Sequence, residues 1–324
     1  MQNIDRAHTL VRQGRIKDAY GLLSDLSDGG DADASLELAH WRMAGDLIRR
    51  DLPEARRLFG LAADQGLDSA RPCYAALLAN GAGGAPRDWQ GALNEAMRLP
   101  GQDGQKQIEL IDAMSLDAQG EPTSDHQPRQ LSSQPGVWTF PSFLSADECA
   151  YLVGLAQPTL QPSVVVHPQT GQFMRDPIRR SSATSFPFIA EPPALHAINR
   201  RIARATGTAY EQGEPTQVLA YDRHEEYKSH SDALAGENNQ RILTFLVYLN
   251  DGYEGGETHF DAANLSFKGK VGDALLFRNV DAAGQADRLA IHSGRPVLSG
   301  RKYLLSKWIR QRPLDLTGPP GRPF

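Results

Sequence analysis

The sequence predicts an α+β multidomain chain: an N-terminal α-helical repeat domain followed by an antiparallel β-sandwich or barrel. Three observations predict it. The first third is rich in Ala, Leu and Arg and poor in β-branched residues, which favours helix. Within it, two segments resemble each other at a spacing of 36 to 37 residues, the mark of stacked helical hairpins. From Thr216 onward, short β-type runs alternate with turn residues at regular intervals. At 324 residues the chain is longer than one compact core usually fills.

The repeat segments start at Ala34 (ASLELAHWRMAGDLIRRDLPEARRLFGLAADQG) and at Ala70 (ARPCYAALLANGAGGAPRDWQGALNEAM). Ala34 matches Ala70, Leu38 matches Tyr74 and Gly45 matches Gly81, each 36 residues apart. Asp51 and Ala55 match Asp88 and Ala92 at 37, so one residue is inserted between the two sets. A degenerate third copy falls in residues 4–30. Ala39, Ala44, Ala62, Ala63, Ala75, Ala76, Ala92 and Ala96 would let neighbouring helices approach closely. The pattern resembles Sel1-like repeats of the tetratricopeptide type. Such arrays bind partners through a concave face; the alternative is a rigid cap that only stabilises its neighbour. The repeat domain is expected over residues 1–118.

Residues 119–136 (QGEPTSDHQPRQLSSQPG) are polar, rich in Pro, Ser and Gly, and read as a linker in which His126 is solvated. A β-rich domain is expected over residues 137–312, and a disordered tail over 313–324. The β-rich domain opens on a helix that Ser145 caps, with Glu148 three residues on completing a capping box. A second helix is expected over PPALHAINRRIARATG. The strands follow as TQVLAY, ILTFLVYL, LSFKG, DALLFRN, LAIHSG, RPVL and KYLLSKWI.

The net charge of −5 and an ordinary composition give no argument for nucleic acid. Only Cys73 and Cys149 are present, in different expected domains, which fits buried thiols in a reducing compartment. The N-terminus has no apolar core of signal-peptide length, and no run approaches the ~20 apolar residues of a membrane helix. The expectation is a soluble, cytoplasmic protein without membrane contact. Its oligomeric state is not legible.

Chemistry concentrates in YKSHSDAL. Residues i and i+2 of a strand point to one face, so His230 and Asp232 can aim at one point with Ser231 turned away. His292, in the strand-like LAIHSG, can supply a third ligand. Two histidines and one carboxylate form the facial triad of non-haem iron(II) oxygenases, which leaves positions open for a keto acid and dioxygen. A bare His-x-Asp is weak evidence, and a lone histidine is more often a satisfied core or surface residue. Lys302, ten residues after His292, can meet the distal carboxylate of 2-oxoglutarate if the chain reverses at Ser299–Gly300. Arg301 and Lys307 are rival cations. Lys302, Leu304, Ser306 and Trp308 would share one strand face.

The surrounding residues raise these odds. The stretch from Tyr221 to Asp232, YDRHEEYKSHSD, lies on the pattern Tyr-x-x-Gly-x-x-Tyr-x-x-His-x-Asp. LTFLVYLNDGYEGGETHF ends in Gly-Gly-Glu-Thr-x-Phe. VGDALLFRNVDAAGQADRLAIHSGRPVLSGRKYLLSKWIR, FLSADECAYLVGLA and RRSSATSF complete an ordered match over residues 138–312. In these segments the chain resembles the catalytic domain of prolyl 4-hydroxylases, which are 2-oxoglutarate- and iron(II)-dependent dioxygenases. The resemblance implies a double-stranded β-helix, or jelly roll. It implies that His230, Asp232 and His292 hold iron(II), and that Lys302 binds the distal carboxylate of 2-oxoglutarate. Tyr221 and Thr258 would also contact this cosubstrate. Arg179, Tyr227 and Trp308 would lie on the substrate side. The implied reaction takes dioxygen and 2-oxoglutarate, hydroxylates a C–H bond and releases succinate and carbon dioxide; ascorbate dependence is a family expectation.

The chain also departs from the pattern. His224 stands where relatives have glycine, so a positive φ there would strain it. Arg295 replaces a residue that is often cysteine. His259 is a decoy ligand better explained by sheet packing. The stretches 166–178 (VHPQTGQFMRDPI) and 232–240 (DALAGENNQ) are expected to form a lid. The substrate expected first is a prolyl residue in a protein or peptide, which the repeats could dock. A free amino acid or other small molecule is the alternative, and a non-catalytic helical-repeat scaffold is a reading of another class.

Overall fold

The computed structural model describes residues 2–82, 86–166, 173–175 and 178–315. Two compact units emerge. One comprises Met1–Thr123, Pro187–Arg200 and Asp315–Phe324; the other comprises Ser124–Phe186 and Arg201–Leu314.

The first unit carries α1 (Gln2–Arg12), α2 (Ile16–Asp28), α3 (Ala32–Ala44), α4 (Leu52–Asp64), α5 (Arg71–Asn80), α6 (Trp89–Met97) and α7 (Asp103–Asp112). The matched residues of the two repeats do the same work. Gly45 and Gly81 end α3 and α5 in the left-handed region, at φ 72° and 65°, where glycine carries no Cβ penalty. Asp51 and Asp88 then cap α4 and α6 by accepting from the backbone N–H of Glu54 and Gly91. Between these points the Asp51 N–H donates to Arg42 O, and the Asp88 N–H to Leu78 O, each at 2.8 Å. The pair α1–α2 keeps the left-handed glycine, Gly14, but not the aspartate cap, which is why the third copy reads as degenerate. Of the small residues expected between helices, Ala39, Ala62, Ala63, Ala75, Ala76, Ala92 and Ala96 are buried, and Ala44 is exposed.

This unit also takes in residues 187–200. Phe188 and Ile189 pack against the helical core. Asn80 donates to Phe188 O at 2.7 Å, and Arg200 pairs with Glu121, which also pairs with Arg87. Polar and apolar contacts from one short segment thus join it to the helices rather than to the sheet.

The second unit is built, in chain order, from β1 (Arg129–Ser132), β2 (Val137–Phe140), α8 (Ala146–Ala156), β3 (Gln161–Pro162), β4 (Val164–Val166), β5 (Phe173–Arg175) and β6 (Ser182–Phe186). There follow α9 (Pro193–Thr206), which begins in the first unit, β7 (Thr216–Tyr221), β8 (Tyr227–His230), β9 (Arg241–Tyr248), β10 (Glu254–Gly255) and β11 (Thr258–Phe260). The chain closes with β12 (Leu265–Phe267), β13 (Ala274–Arg278), β14 (His292–Gly294), β15 (Val297–Ser299) and β16 (Lys302–Arg310). Eight strands form one sheet in the order β1-β2-β13-β9-β16-β7-β6-β3, and four form a second in the order β12-β11-β14-β8. Phe260 of the smaller sheet meets Phe277 of the larger edge-on, ring centroids 5.1 Å apart, so the two sheets close on one core. Leu219, Leu246, Leu275 and Leu304 fill it from the larger sheet. This is the double-stranded β-helix the resemblance implied. Ser145 and Glu148 form the expected capping box at α8.

The expected linker is partly structured. Its residues 129–132 form β1, which pairs antiparallel with β2. Its four residues are mostly exposed and carry no apolar alternation, so nothing local announces a strand; pairing with β2 makes it one. His126 is not simply solvated. Its ring lies 4.7 Å from that of Phe143, and burial lowers its pKa. Residues 316–324 of the expected tail, and 167–172 with 176–177 of the expected lid, lie outside the described residues.

Candidate active site

Strands β8 and β14 run antiparallel at one edge of the smaller sheet, with His230 directly opposite His292. Their ring centroids are 4.4 Å apart. Strand β8 ends at His230, so alternation along a continuing strand does not deliver Asp232; its carboxylate arrives from the turn beyond. Even so, one ligand atom from each of His230, Asp232 and His292 lies within 4.8 Å of the others. Among the described residues this is the one such convergence of three His, Cys, Asp or Glu side chains.

The hydrogen bonds set which atoms face one another. His230 Nδ1 donates to Lys228 O at 2.8 Å, and His292 Nδ1 donates to Ala290 O at 3.0 Å. Each bond leaves the Nε2 lone pair available, and Nε2 is the nitrogen turned toward Asp232, at 3.4 and 3.7 Å. Thr244 donates to Asp232 Oδ2 at 2.7 Å, and Asn279 donates to Thr244 Oγ1 at 2.9 Å. Burial alone would raise the Asp232 carboxyl; His292, His230 and the Thr244 hydroxyl reverse this and hold it below the usual carboxylate range. Burial lowers the pKa of His292, so its ring stays neutral and ready to ligate. Tyr227 stacks on His230 at 3.5 Å and 12°, and Phe277 meets His292 edge-on at 4.6 Å. Two imidazoles with Nε2 turned inward and one carboxylate, prealigned and largely buried, suit a divalent transition metal. The donor set therefore fits iron(II).

The pocket at this triad is lined by Tyr221, Thr258, Lys302, Leu219, Leu246 and Leu304, together with Arg179, Tyr227, Ser306 and Trp308. Lys302, Leu304, Ser306 and Trp308 do share one face of β16, as strand alternation predicts. Lys302 sits opposite Tyr221 in the sheet register. Only 3% of it is exposed, and its Nζ donates to Gly256 O at 2.7 Å, between the rings of Tyr221 and Tyr248. Burial pushes its ammonium down to about 7, and the charge of Glu257 offsets only part of the lost hydration. Gly256 must be small as well as left-handed: at φ 71° a Cβ there would crowd the Tyr253 ring at 3.1 Å and Lys302 Cδ at 3.2 Å.

A buried lysine thus lines the same pocket as a two-histidine, one-carboxylate triad. Residues 216–310 match the model of the 2OG-Fe(II) oxygenase superfamily. Prolyl 4-hydroxylase 1 of Arabidopsis thaliana is 38% identical over 205 residues, covering 57% of this chain and 72% of that protein. The chain belongs to the prolyl 4-hydroxylase family. Probable prolyl 4-hydroxylase 3 of the same plant is 36% identical over 203 residues, covering 55% of this chain and 70% of its own. A viral collagen prolyl hydroxylase from Paramecium bursaria Chlorella virus-1, solved as its 2OG complex, is 26% identical and covers 54% of this chain and 95% of its own, with a TM-score of 0.43. Iron(II) and 2-oxoglutarate are the groups that go with the prolyl 4-hydroxylase family's oxygenase domain.

The other candidates have these surroundings in the prolyl 4-hydroxylase domain. Tyr221 is 4% exposed, and burial raises its hydroxyl pKa, so it stays a hydrogen-bond donor. Thr258 Oγ1 shares a 2.8 Å hydrogen bond with the Tyr248 hydroxyl. The Arg179 guanidinium reaches Ser181 Oγ and Gln217 Oε1 at 3.3 Å and lies over the Tyr227 ring. The rival cations are otherwise engaged. Arg301 is half-exposed and clamps Asp222, while Lys307 points to the opposite sheet face and donates to Thr216 Oγ1. His259 bonds Ser266 Oγ at 2.7 Å across β11 and β12, as expected of a packing residue. His224 has φ 67°, the strained conformation its substitution for glycine implied, and it is exposed.

Three contributors were not singled out beforehand: Thr244, Asn279 and Gly256. Gly256 lies within the Gly-Gly-Glu-Thr-x-Phe segment, whereas a lone threonine in a buried strand and a distant asparagine carry no local signal. The 232–240 segment is tied down rather than open. Gln240 bonds both the N–H and the C=O of Leu234, and Asn239 exchanges bonds with the Arg312 backbone.

Proposed function

We propose that this 2-oxoglutarate- and iron(II)-dependent dioxygenase hydroxylates prolyl residues in a protein or peptide. The observation that carries the reading is one pocket that joins the ligand triad, the buried Lys302 and a wall made by Arg179, Tyr227 and Trp308. That wall mixes a cation with two large aromatic faces, the surfaces on which a prolyl ring and its peptide groups find apolar contact and hydrogen-bond partners.

His230 and His292 would hold the metal through Nε2, and Asp232 through its carboxylate. Iron(II) with bound 2-oxoglutarate would activate dioxygen, the oxidant, so that C–H hydroxylation is coupled to decarboxylation of 2-oxoglutarate to succinate and carbon dioxide. Lys302 meets the distal carboxylate, and the Gly256 carbonyl fixes where its Nζ stands. Tyr221 and Thr258 add hydrogen bonds to the same cosubstrate. Leu219, Leu246 and Leu304 keep water from the cosubstrate. Thr244 and Asn279 hold the Asp232 carboxylate in one orientation. Arg179, Tyr227 and Trp308 orient the polypeptide. The helical hairpins dock longer stretches of it, and ascorbate sustains turnover.

The test is hydroxyproline formation and succinate release on a panel of proline-containing peptides beside free proline. Matched hydroxyproline and succinate on peptides supports the reading. Turnover confined to free proline or another metabolite would replace it with the small-molecule alternative.

A further inference from the structure

We propose that Arg241 and Glu214 are positioning residues for the polypeptide substrate, acting by fixing the indole of Trp308. The inference rests on the reading of Trp308 as part of the substrate wall.

Trp308 lines the pocket, yet its indole Nε1 is buried and makes no hydrogen bond among the described residues. A ring with no polar anchor is oriented by packing alone. The packing partner is a charge. The Arg241 guanidinium lies over the Trp308 ring, 3.9 Å from its centroid. Arg241 opens β9 opposite Arg310, two residues past Trp308, where the ladder shifts register between Ile309 and Arg310, and from there its side chain reaches the indole.

Arg241 is itself clamped. Its Nε and NH2 donate to the two carboxylate oxygens of Glu214, at 2.6 and 2.7 Å. Glu214 is indexed to the same tryptophan, because its backbone N–H donates to Trp308 O at 2.8 Å. Arg310, two residues past Trp308, donates to the same Glu214 oxygen, Oε1, that accepts from Arg241 Nε, and to Asn239 O at 2.6 Å. The side chains of Arg241, Glu214 and Arg310 are only 17%, 12% and 14% exposed.

Ion pairs this dry gain little net stability, since desolvation offsets most of the Coulombic attraction. What this one secures is geometry. A planar guanidinium held by two parallel hydrogen bonds cannot rotate off the indole face. A peptide arriving at Trp308 therefore meets a ring already in place, and the ordering cost falls on folding rather than on binding. Lysine could not substitute, because an ammonium neither stacks as a plane nor forms the paired bonds.

The experiment compares Arg241→Gln, Arg241→Lys, Trp308→Phe and the double variant Arg241→Gln/Trp308→Phe in the full chain, with iron(II), 2-oxoglutarate and a proline-containing peptide. Arg241→Gln is expected to raise the peptide KM by about tenfold while leaving kcat and the 2-oxoglutarate KM within about twofold. Arg241→Lys should give no rescue. The double variant should match Trp308→Phe alone, because the arginine acts through the indole. Arg241→Met, which retains the apolar stem, replaces Arg241→Gln if the latter does not fold. If the two single effects multiply, Arg241 does not act through Trp308, and the positioning inference is overturned while the substrate wall stands. If Trp308→Phe leaves the peptide KM unchanged, the wall itself is wrong and the inference falls with it.

Discussion

The Thr244 hydroxyl donates to Asp232 Oδ2 across 2.7 Å. Thr244 lies in β9 of the larger sheet, whereas Asp232 follows β8 of the smaller one. One hydrogen bond therefore fixes a carboxylate just past the end of one sheet against a side chain of the other. Asn279 completes the arrangement by donating to Thr244 Oγ1, and both residues are 1–2% exposed.

Removing that hydroxyl should loosen the metal site without emptying the core. Thr244→Val keeps the branched shape and is expected to weaken iron(II) binding by ~10- to 100-fold, the usual range for a lost partner of a ligand. Metal titration followed by quenching or calorimetry measures it. Unchanged affinity would mean that Asp232 is oriented by other contacts.

Lys302 gives a pH dependence of definite sign. Burial lowers its folded-state pKa to about 7, while the unfolded chain keeps an ordinary lysine. Between about 7 and 10 the unfolded state therefore binds more protons, so stability should rise with pH across that window. Lys302→Met should flatten this slope in denaturant unfolding. In the folded enzyme, 2-oxoglutarate should bind more weakly as pH rises above about 7, because a neutral amine cannot pair with the distal carboxylate.

His224 carries backbone strain at an exposed position with φ 67°. His224→Gly should relieve roughly 1–2 kcal/mol of left-handed strain against roughly 0.4–1 kcal/mol of added unfolded-chain entropy, a net stabilisation of about 0.5–1 kcal/mol in equilibrium unfolding, with peptide turnover unchanged. A loss of turnover would place the imidazole on the substrate.

The paired caps of the hairpins offer a check on the helical unit. Asp51→Ala and Asp88→Ala should each cost about 1 kcal/mol, since each leaves a helix-start N–H without its acceptor. Thermal melts of the two variants should move together.

Much of the site was legible because its signals are local or ordered along the chain. His230, Asp232 and His292 came from residue type, spacing and the ordered match around them, and the repeat pairs Gly45/Gly81 and Asp51/Asp88 came from periodicity. Asp232 converges on the histidines although β8 ends two residues earlier. Other features depend on contacts between distant segments. Thr244 is 12 residues from Asp232 and Asn279 is 35 from Thr244, so neither announces itself. Strand β1 exists because β2 pairs with it, not because Arg129–Ser132 favours extended structure. Residues 187–200 cluster with the helices through Phe188, Ile189 and Asn80, contacts that no boundary drawn from composition could reveal.

The measurement that tests the central claim most directly is 2-oxoglutarate consumption by wild type and His230→Ala, with iron(II) supplied and a proline-containing peptide present. The wild type should consume 2-oxoglutarate and release succinate, and His230→Ala should do neither while remaining folded. Undiminished 2-oxoglutarate consumption by His230→Ala would contradict the assignment of His230, Asp232 and His292 as the iron site.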